Sequence, residues 1–174
     1  MASPSPIMQK LIQIPICRGL TESEANVIFE IAEEASMTRG QRLFSEGETG
    51  DALYAILEGH IDITKRDHQG TEQLLARLGE GSVLGEMSLI GGDSRRSANA
   101  IAATDGRLLK IAAHRFSRLL RNDNIAALKI VHNLAQVMSR RLQQMNEKLV
   151  DSLNRTKKKE ELQEFQKLLN NWSF

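Results

Sequence analysis

The chemistry available to this chain is concentrated in one stretch, GEGSVLGEMSLIGGDSRRSANA, residues 79–100, where glycines, three carboxylates and two arginines stand together. Arg95 and Arg96 carry permanent charge and planar forks of N–H donors, a geometry that matches phosphate oxygens. Gly85 lets the backbone come close to a ligand, and Glu86 offers a carboxylate that accepts from a hydroxyl. The run Glu86–Met87–Ser88–Leu89–Ile90 is long enough for one helical turn, whose first amides would point at an anion. Together these groups suit a small cyclic phosphate that carries a sugar hydroxyl. Taken singly, they read equally as turn glycines beside solvated charges, and a Gly-Glu pair alone specifies little.

Strand alternation separates the two arginines, because residues two apart share a face. Arg96 shares its face with Ala98, Ala100 and Ala102, small apolar residues that suggest an inward surface with room for a ligand. Arg95 shares the other face with Ser97, Asn99 and Ile101. Arg96 is therefore the expected phosphate cation.

The elements that must position this loop follow from where glycine and proline fall. All three prolines lie in the first fifteen residues, and eleven of the twelve glycines lie between Gly40 and Gly106. Dense glycine broken by short apolar runs reads as many short strands. ALYAILEG, HIDITKR, QLLARL, SANAIAA and RLLKI are expected to form hairpin-like strands in a meander. Ahead of them, Thr21 and Glu24 have the spacing of a capping box, predicting a helix from about 22 to 35 with Ala25, Ile28, Phe29 and Ala32 against the barrel's end. After Gly106 there is neither glycine nor proline, which favours continuous helix.

Composition narrows the class. With 174 residues, 41% hydrophobic and 26% charged, the chain suits one folded unit rather than two. A formal charge of +1 gives no general attraction to DNA or to a membrane surface. Cys17 is the only cysteine, which rules out an intrachain disulfide and a cysteine metal cluster and points to a cytoplasmic setting. No stretch approaches about 18 uninterrupted apolar residues. His60, His68, His114 and His132 are scattered, without metal-ligand or triad spacing, so the reading is not an enzyme.

With these pieces in hand, the sequence resembles the cyclic nucleotide-binding domain family, especially its bacterial catabolite activator branch. The resemblance covers roughly residues 22–150 and rests on EGETGDALYAILEGHIDI, GEGSVLGEMSLI, RRSANA and FSRLLRN in that order. It implies a mainly β fold with flanking helices: a cyclic nucleotide-binding β-roll (a double-stranded β-helix or jelly-roll) followed by a long C-terminal dimerisation helix. The implied division is an N-terminal segment and helix at 1–37, the roll at 38–112, a lid and dimerisation helix at 113–153, and a helical tail at 154–174.

By the same resemblance, Gly85 and Glu86 are the Gly-Glu of the phosphate loop, with Glu86 accepting from the ribose 2′-hydroxyl. Met87 lies beside them, and Ser88 would contribute its backbone amide. Arg96 and Ser97 would hold the phosphate. The implied ligand is cyclic AMP ahead of cyclic GMP, with no metal. Leu84 departs from the family, which often has Phe before Gly-Glu.

From about Asn124, Leu128, Val131, Ala135, Met138, Leu142, Met145 and Leu149 recur at alternating intervals of three and four, a coiled-coil seam of about three heptads. Packing on the chain's own barrel and a parallel homodimer through 124–150 both fit, and the family resemblance favours the dimer. It also marks Arg141, Met145 and Asn146 as lid residues, Arg141 able to pair with Glu86 and Asn146 able to meet an adenine edge. Leu162, Phe165, Leu169 and Trp172 form a second stripe that could serve a protein partner. The basic run Lys157–Lys159 reads as solvated helix surface, and so short a tail leads to no expectation of direct DNA binding. The expected function is a non-enzymatic cyclic AMP sensor. The alternatives are a degenerate roll acting as a dimeric scaffold, or the sensor portion of a cyclic AMP-dependent transcription regulator.

Overall fold

A computed structural model describes residues 6–90, 95–156 and 166. Eight strands form two four-stranded antiparallel sheets. They are β1 (Ala32–Met37), β2 (Arg42–Phe44), β3 (Ala52–Glu58), β4 (Ile61–Arg66), β5 (Glu72–Leu78), β6 (Val83–Leu84), β7 (Asn99–Ala102) and β8 (Gly106–Ala112). One sheet runs β1-β8-β3-β6 and the other β2-β7-β4-β5. Their inner faces meet in a core of Met37, Phe44, Ile56, Ile61, Leu84, Ala100, Ala102 and Leu108, to which both sheets contribute.

This order corrects the expected meander. Only β4 and β5 are neighbours both in sequence and in space, joined across Asp67–Thr71. Every other pairing is long-range, because the chain changes sheet between consecutive strands and winds as a roll. Gly59 shows how tight a crossing is: a β-carbon there would lie 2.6 Å from the Asp105 carbonyl oxygen and 2.8 Å from Thr104 Oγ1, at a φ of 90°.

Helices close the ends. The capping box forms as its spacing predicts, Thr21 Oγ1 accepting from Glu24 N–H at 3.3 Å and Thr21 N–H donating to Glu24 at 2.8 Å. That helix, α2 (Glu22–Ile31), buries Ala25, Ile28 and Ile31. It ends four residues before the expected 35. From Ala32 the backbone is extended and pairs with β8 in register from Ala32↔Ile111 to Met37↔Gly106. Ladder pairing overrides the helical preference of AEEA, a tertiary effect that local periodicity does not carry. A further helix, α1 (Pro6–Gln13), precedes it and buries Met8 and Leu11. Cys17, just beyond, is buried, and loss of solvent pushes its thiol up to about 12.

One short turn, α3 (Met87–Ile90), lies between β6 and β7, and after β8 come α4 (Ala113–Arg121) and α5 (Ile125–Thr156). Asn124 caps α5, its Oδ1 accepting from the Ala126 and Ala127 amides at 3.0 and 3.3 Å. The first turns of α5 bury Ala126, Ala127, Ile130 and Leu134. Lys129 pairs with Glu24 at 2.7 Å, and Asn133 Nδ2 donates to the carbonyls of Ile16 and Arg18. The chain divides into two compact units, the break falling between Leu134 and Ala135 inside α5. The tail stripe, the basic run 157–159 and loop residues 91–94 lie outside the described residues. Among the described residues, no helix is long and apolar enough to cross a membrane, and no cluster of His, Cys, Asp and Glu could hold a metal ion.

A belt of charge ties α1 to the roll. Arg107 donates to Glu58 and Glu34, and Lys10 donates to Glu58 at 2.7 Å. The Arg107 hydrogen bonds, followed by that from Lys10, pull the Glu58 carboxyl from 4.5 down to about 2. A depressed folded-state pKa stabilises the fold above the unfolded value and is lost as pH falls through the folded one. Acid unfolding of the wild type should therefore steepen between about pH 4.5 and 2. Glu58→Gln should flatten that part of a stability-against-pH curve measured by urea denaturation.

Candidate functional site

The loop of interest starts where β6 ends. Gly85 sits in the left-handed region at φ 73°, turning the chain off the sheet. Glu86 follows, half-buried, and one helical turn, α3 (Met87–Ile90), forms. Ser88 and Leu89 are its buried members, while Met87 is exposed. The Ser88 amide donates to the Gly85 carbonyl at 3.1 Å and the Leu89 amide to Glu86 at 3.0 Å. Ser88's amide thus closes this turn, and its hydroxyl is turned toward Arg96.

Arg96 is the centre of the arrangement. Its side chain is nine-tenths buried, a rarity for a guanidinium. Nη1 donates to Ser88 Oγ at 3.0 Å and more weakly to the Gly85 carbonyl at 3.4 Å. Nη2 donates to the Ala52 carbonyl at 2.9 Å and lies 3.5 Å from an Asp51 carboxylate oxygen. The guanidinium carbon stands 4.2 Å from the centroid of the Phe44 ring and 5.9 Å from that of Tyr54. Nε has no partner and is the one such buried side-chain polar atom among the described residues. Burial pulls the Arg96 pKa down, against the opposing influence of Tyr54, Asp51, Glu48 and Glu86. The nearest carboxylate, on Asp51, is 69% exposed, so much of its attraction is spent on water.

Backbone bonds fix where this arginine starts. Arg96 N–H donates to the Glu48 carbonyl and Gly47 N–H to the Arg96 carbonyl, both at 2.8 Å. Arg95 forms an isolated bridge with Thr49, its side chain exposed and donating to the Gly47 carbonyl. Beyond them, Ala98, Ala100 and Ala102 are buried on the Arg96 side, while Ser97 is exposed. Burial follows the alternation on the Arg96 face, but not on the other: Asn99, which shares its face with Ser97, is also buried, its side chain accepting from the Glu46 amide and donating to Glu72, and β7 itself begins only at Asn99.

A family model for the cyclic nucleotide-binding domain matches residues 34–123, half of the chain and all of this site's described framework. The chain belongs to the cyclic nucleotide-binding domain family. The cyclic AMP receptor protein of Thermus thermophilus is 32% identical over 130 residues, covering 75% of this chain and 58% of that protein. A cAMP-dependent protein kinase regulatory subunit of Dictyostelium discoideum is 32% identical over 120 residues, 69% of this chain and 36% of the relative. The solved structure of the Thermus thermophilus catabolite activator protein superposes with a TM-score of 0.69 at 31% identity, over 80% of this chain and 63% of that one. This chain thus spans under two thirds of each of these proteins. The two sheets and the long helix are the β-roll architecture of that activator.

Within this family framework, the structure gathers Gly85, Ser88 and Arg96 into direct contact and sets Glu86 and Met87 beside them. Ser97 follows Arg96, its carbonyl accepting from Lys65 at 3.3 Å. Arg141, Met145 and Asn146 are on α5 in the second unit, Arg141 half-buried and the other two exposed. Sequence reasoning missed Phe44, Tyr54, Asp51 and Ala52. A signal existed for two of them: the chain has five Phe and one Tyr, and Phe44 and Tyr54 stand on short runs that become strands of opposite sheets.

Gly85 is needed for space as well as for φ. A β-carbon there would overlap Arg96 Nη1 and lie 2.8 Å from the Ala52 carbonyl oxygen. Gly85→Ala should cost about 1–3 kcal/mol of stability in urea unfolding, the range for a residue forced into a sparsely populated backbone region. It should also displace the Arg96 fork; a stability within 0.3 kcal/mol of wild type, a margin of roughly measurement scatter, would show that the turn relaxes without cost.

Proposed function

We propose that this chain is a non-enzymatic sensor that binds cyclic AMP, with Arg96 as the cation for its phosphate. The observation that carries this reading is the burial of a guanidinium whose Nε has no acceptor, beside a left-handed glycine and a helical turn. A buried charge is costly unless paired, and an entering phosphate monoanion would supply the missing counter-charge. Glu86 would accept from the ribose 2′-hydroxyl, and Ser97 would add its hydroxyl and amide next to Arg96. Cyclic AMP is preferred to cyclic GMP because the names of the relatives, a cyclic AMP receptor protein and a cAMP-dependent kinase subunit, specify it.

Signalling would pass through α5. Leu128, Leu142, Met145 and Leu149 are exposed on this helix although they keep heptad spacing, while the helix buries Ala126, Ala127, Ile130 and Leu134 in its first turns. An exposed seam separate from the intramolecular face suits a second copy of the chain in a parallel homodimer. Arg141, Met145 and Asn146 would then form the lid over the base, and a ligand that binds the closed arrangement better would shift the helix. A monomeric mass in sedimentation at micromolar protein, with and without cyclic AMP, would remove the dimer from this reading.

Calorimetric titration with cyclic AMP should show micromolar or tighter binding. Arg96→Ala should weaken it by roughly 2–5 kcal/mol, the range for truncating one partner of a buried charge pair. No heat from the wild type at millimolar cyclic AMP would sink the proposal, and an unchanged affinity in Arg96→Ala would move the phosphate elsewhere.

A further inference from the structure

Phe44 offers no polar atom, yet it forms the floor on which the fork of Arg96 lies. It is the last residue of β2, pairs across the sheet with Ala100, and is 8% exposed. The guanidinium carbon is 4.2 Å from its ring centroid, within the range of a cation–π contact. Tyr54, on β3 of the other sheet, is half-buried; its ring centroid lies 6.2 Å from that of Phe44 and 5.9 Å from the same carbon. Aromatic side chains from both sheets therefore converge on one charged group.

The alanine opposite is part of this arrangement. Phe44 faces Ala100 across the sheet, and Ala98, Ala100 and Ala102, all buried, carry only methyl side chains. The edge of the guanidinium is occupied differently. Nη1 and Nη2 reach Ser88, Gly85 and Ala52, all neutral acceptors, and among the described residues the carboxylate paired with the guanidinium within 4 Å is the largely exposed one on Asp51. A guanidinium is weakly hydrated on its faces and strongly directional in its plane. An aromatic face satisfies the first property without using any in-plane donor, so that Nε–H, the one without a partner, stays available to a ligand. An aliphatic floor of the same size would fill the space but would supply no attraction for the cation.

We propose that Phe44 is a positioning residue for ligand recognition: its ring, with Tyr54 beside it, holds the Arg96 guanidinium in the plane from which the fork meets the phosphate. This rests on the reading that Arg96 takes the phosphate, and it adds that the aromatic character of position 44, more than its volume, sets the affinity for the anionic part of the ligand. Phe44 acts only through Arg96.

The test is a double-mutant cycle on cyclic AMP affinity in the full chain, with Phe44→Leu made in the wild type and in Arg96→Lys. Lysine keeps the charge but has no planar fork to stack. Phe44→Leu is expected to weaken cyclic AMP binding about tenfold to thirtyfold in the wild type, the scale of a desolvated cation–π contact. In the Arg96→Lys background the same change is expected to cost roughly twofold or less. Phe44→Met, which fills nearly the same volume with a flexible side chain, is made in parallel and should behave like Phe44→Leu if that variant is too unstable to titrate. Equal losses in both backgrounds would mean that Phe44 merely packs the core, and overturn the proposal. So would an unchanged affinity in Phe44→Leu. A wild type that binds no cyclic AMP would instead overturn the functional reading on which the proposal rests, and that outcome is visible before any variant is measured.

Discussion

A guanidinium cannot leave water without acceptors for its five N–H donors and a partner for its charge. Much of the described site is arranged around meeting that requirement for Arg96. Ser88, Gly85 and Ala52 supply neutral acceptors, Phe44 and Tyr54 supply aromatic faces, and Asp51 supplies a partly solvated carboxylate. One donor, Nε, is left over. Among the described residues, the arrangement keeps the cation in place with only a largely exposed carboxylate paired to it, which suits the anion proposed to bind there.

The roll makes such a placement possible because it brings distant segments to one point. Residues 47 and 48 bond to the Arg96 backbone, Ala52 opens β3, Phe44 closes β2, and Gly85 follows β6. The same winding explains the glycine at 85, where a β-carbon would intrude on both the Arg96 fork and the Ala52 carbonyl. Asp51 adds a structural link outward: its carbonyl accepts from Ala113 N–H at 2.8 Å, the first residue of α4, and its carboxylate lies 3.5 Å from both Arg96 and Lys110. The site and the start of the helical segment thus share one residue.

What could be read from the sequence was what local spacing encodes. The capping box at Thr21 and Glu24, the strands around Leu53–Leu57 and Ile61–Ile63, and the helix after Asn124 follow from patterns a few residues long. The choice of Arg96 over Arg95 as the inward-facing arginine came from a period of two and agrees with their burial. What escaped was set at long range. AEEASM forms β1 because β8 pairs with it, and the strand order β2-β7-β4-β5 cannot be inferred from where the turns fall. Tyr54 stands in an expected strand and Phe44 in no expected element, and nothing local marks either ring: the fold brings both beside a charge roughly forty to fifty residues away in sequence. The roles of Arg141, Met145 and Asn146 rest on resemblance to the family, since a helical pattern of polar residues specifies no ligand.

The most direct measurement follows the Arg96 Nε–H by nitrogen-15 NMR, its signal assigned by its loss in Arg96→Lys. If Arg96 takes the phosphate, this resonance moves strongly on addition of cyclic AMP and hardly at all on addition of adenosine, which has the same base and sugar but no phosphate. A signal that stays in place while cyclic AMP saturates the protein would contradict the account.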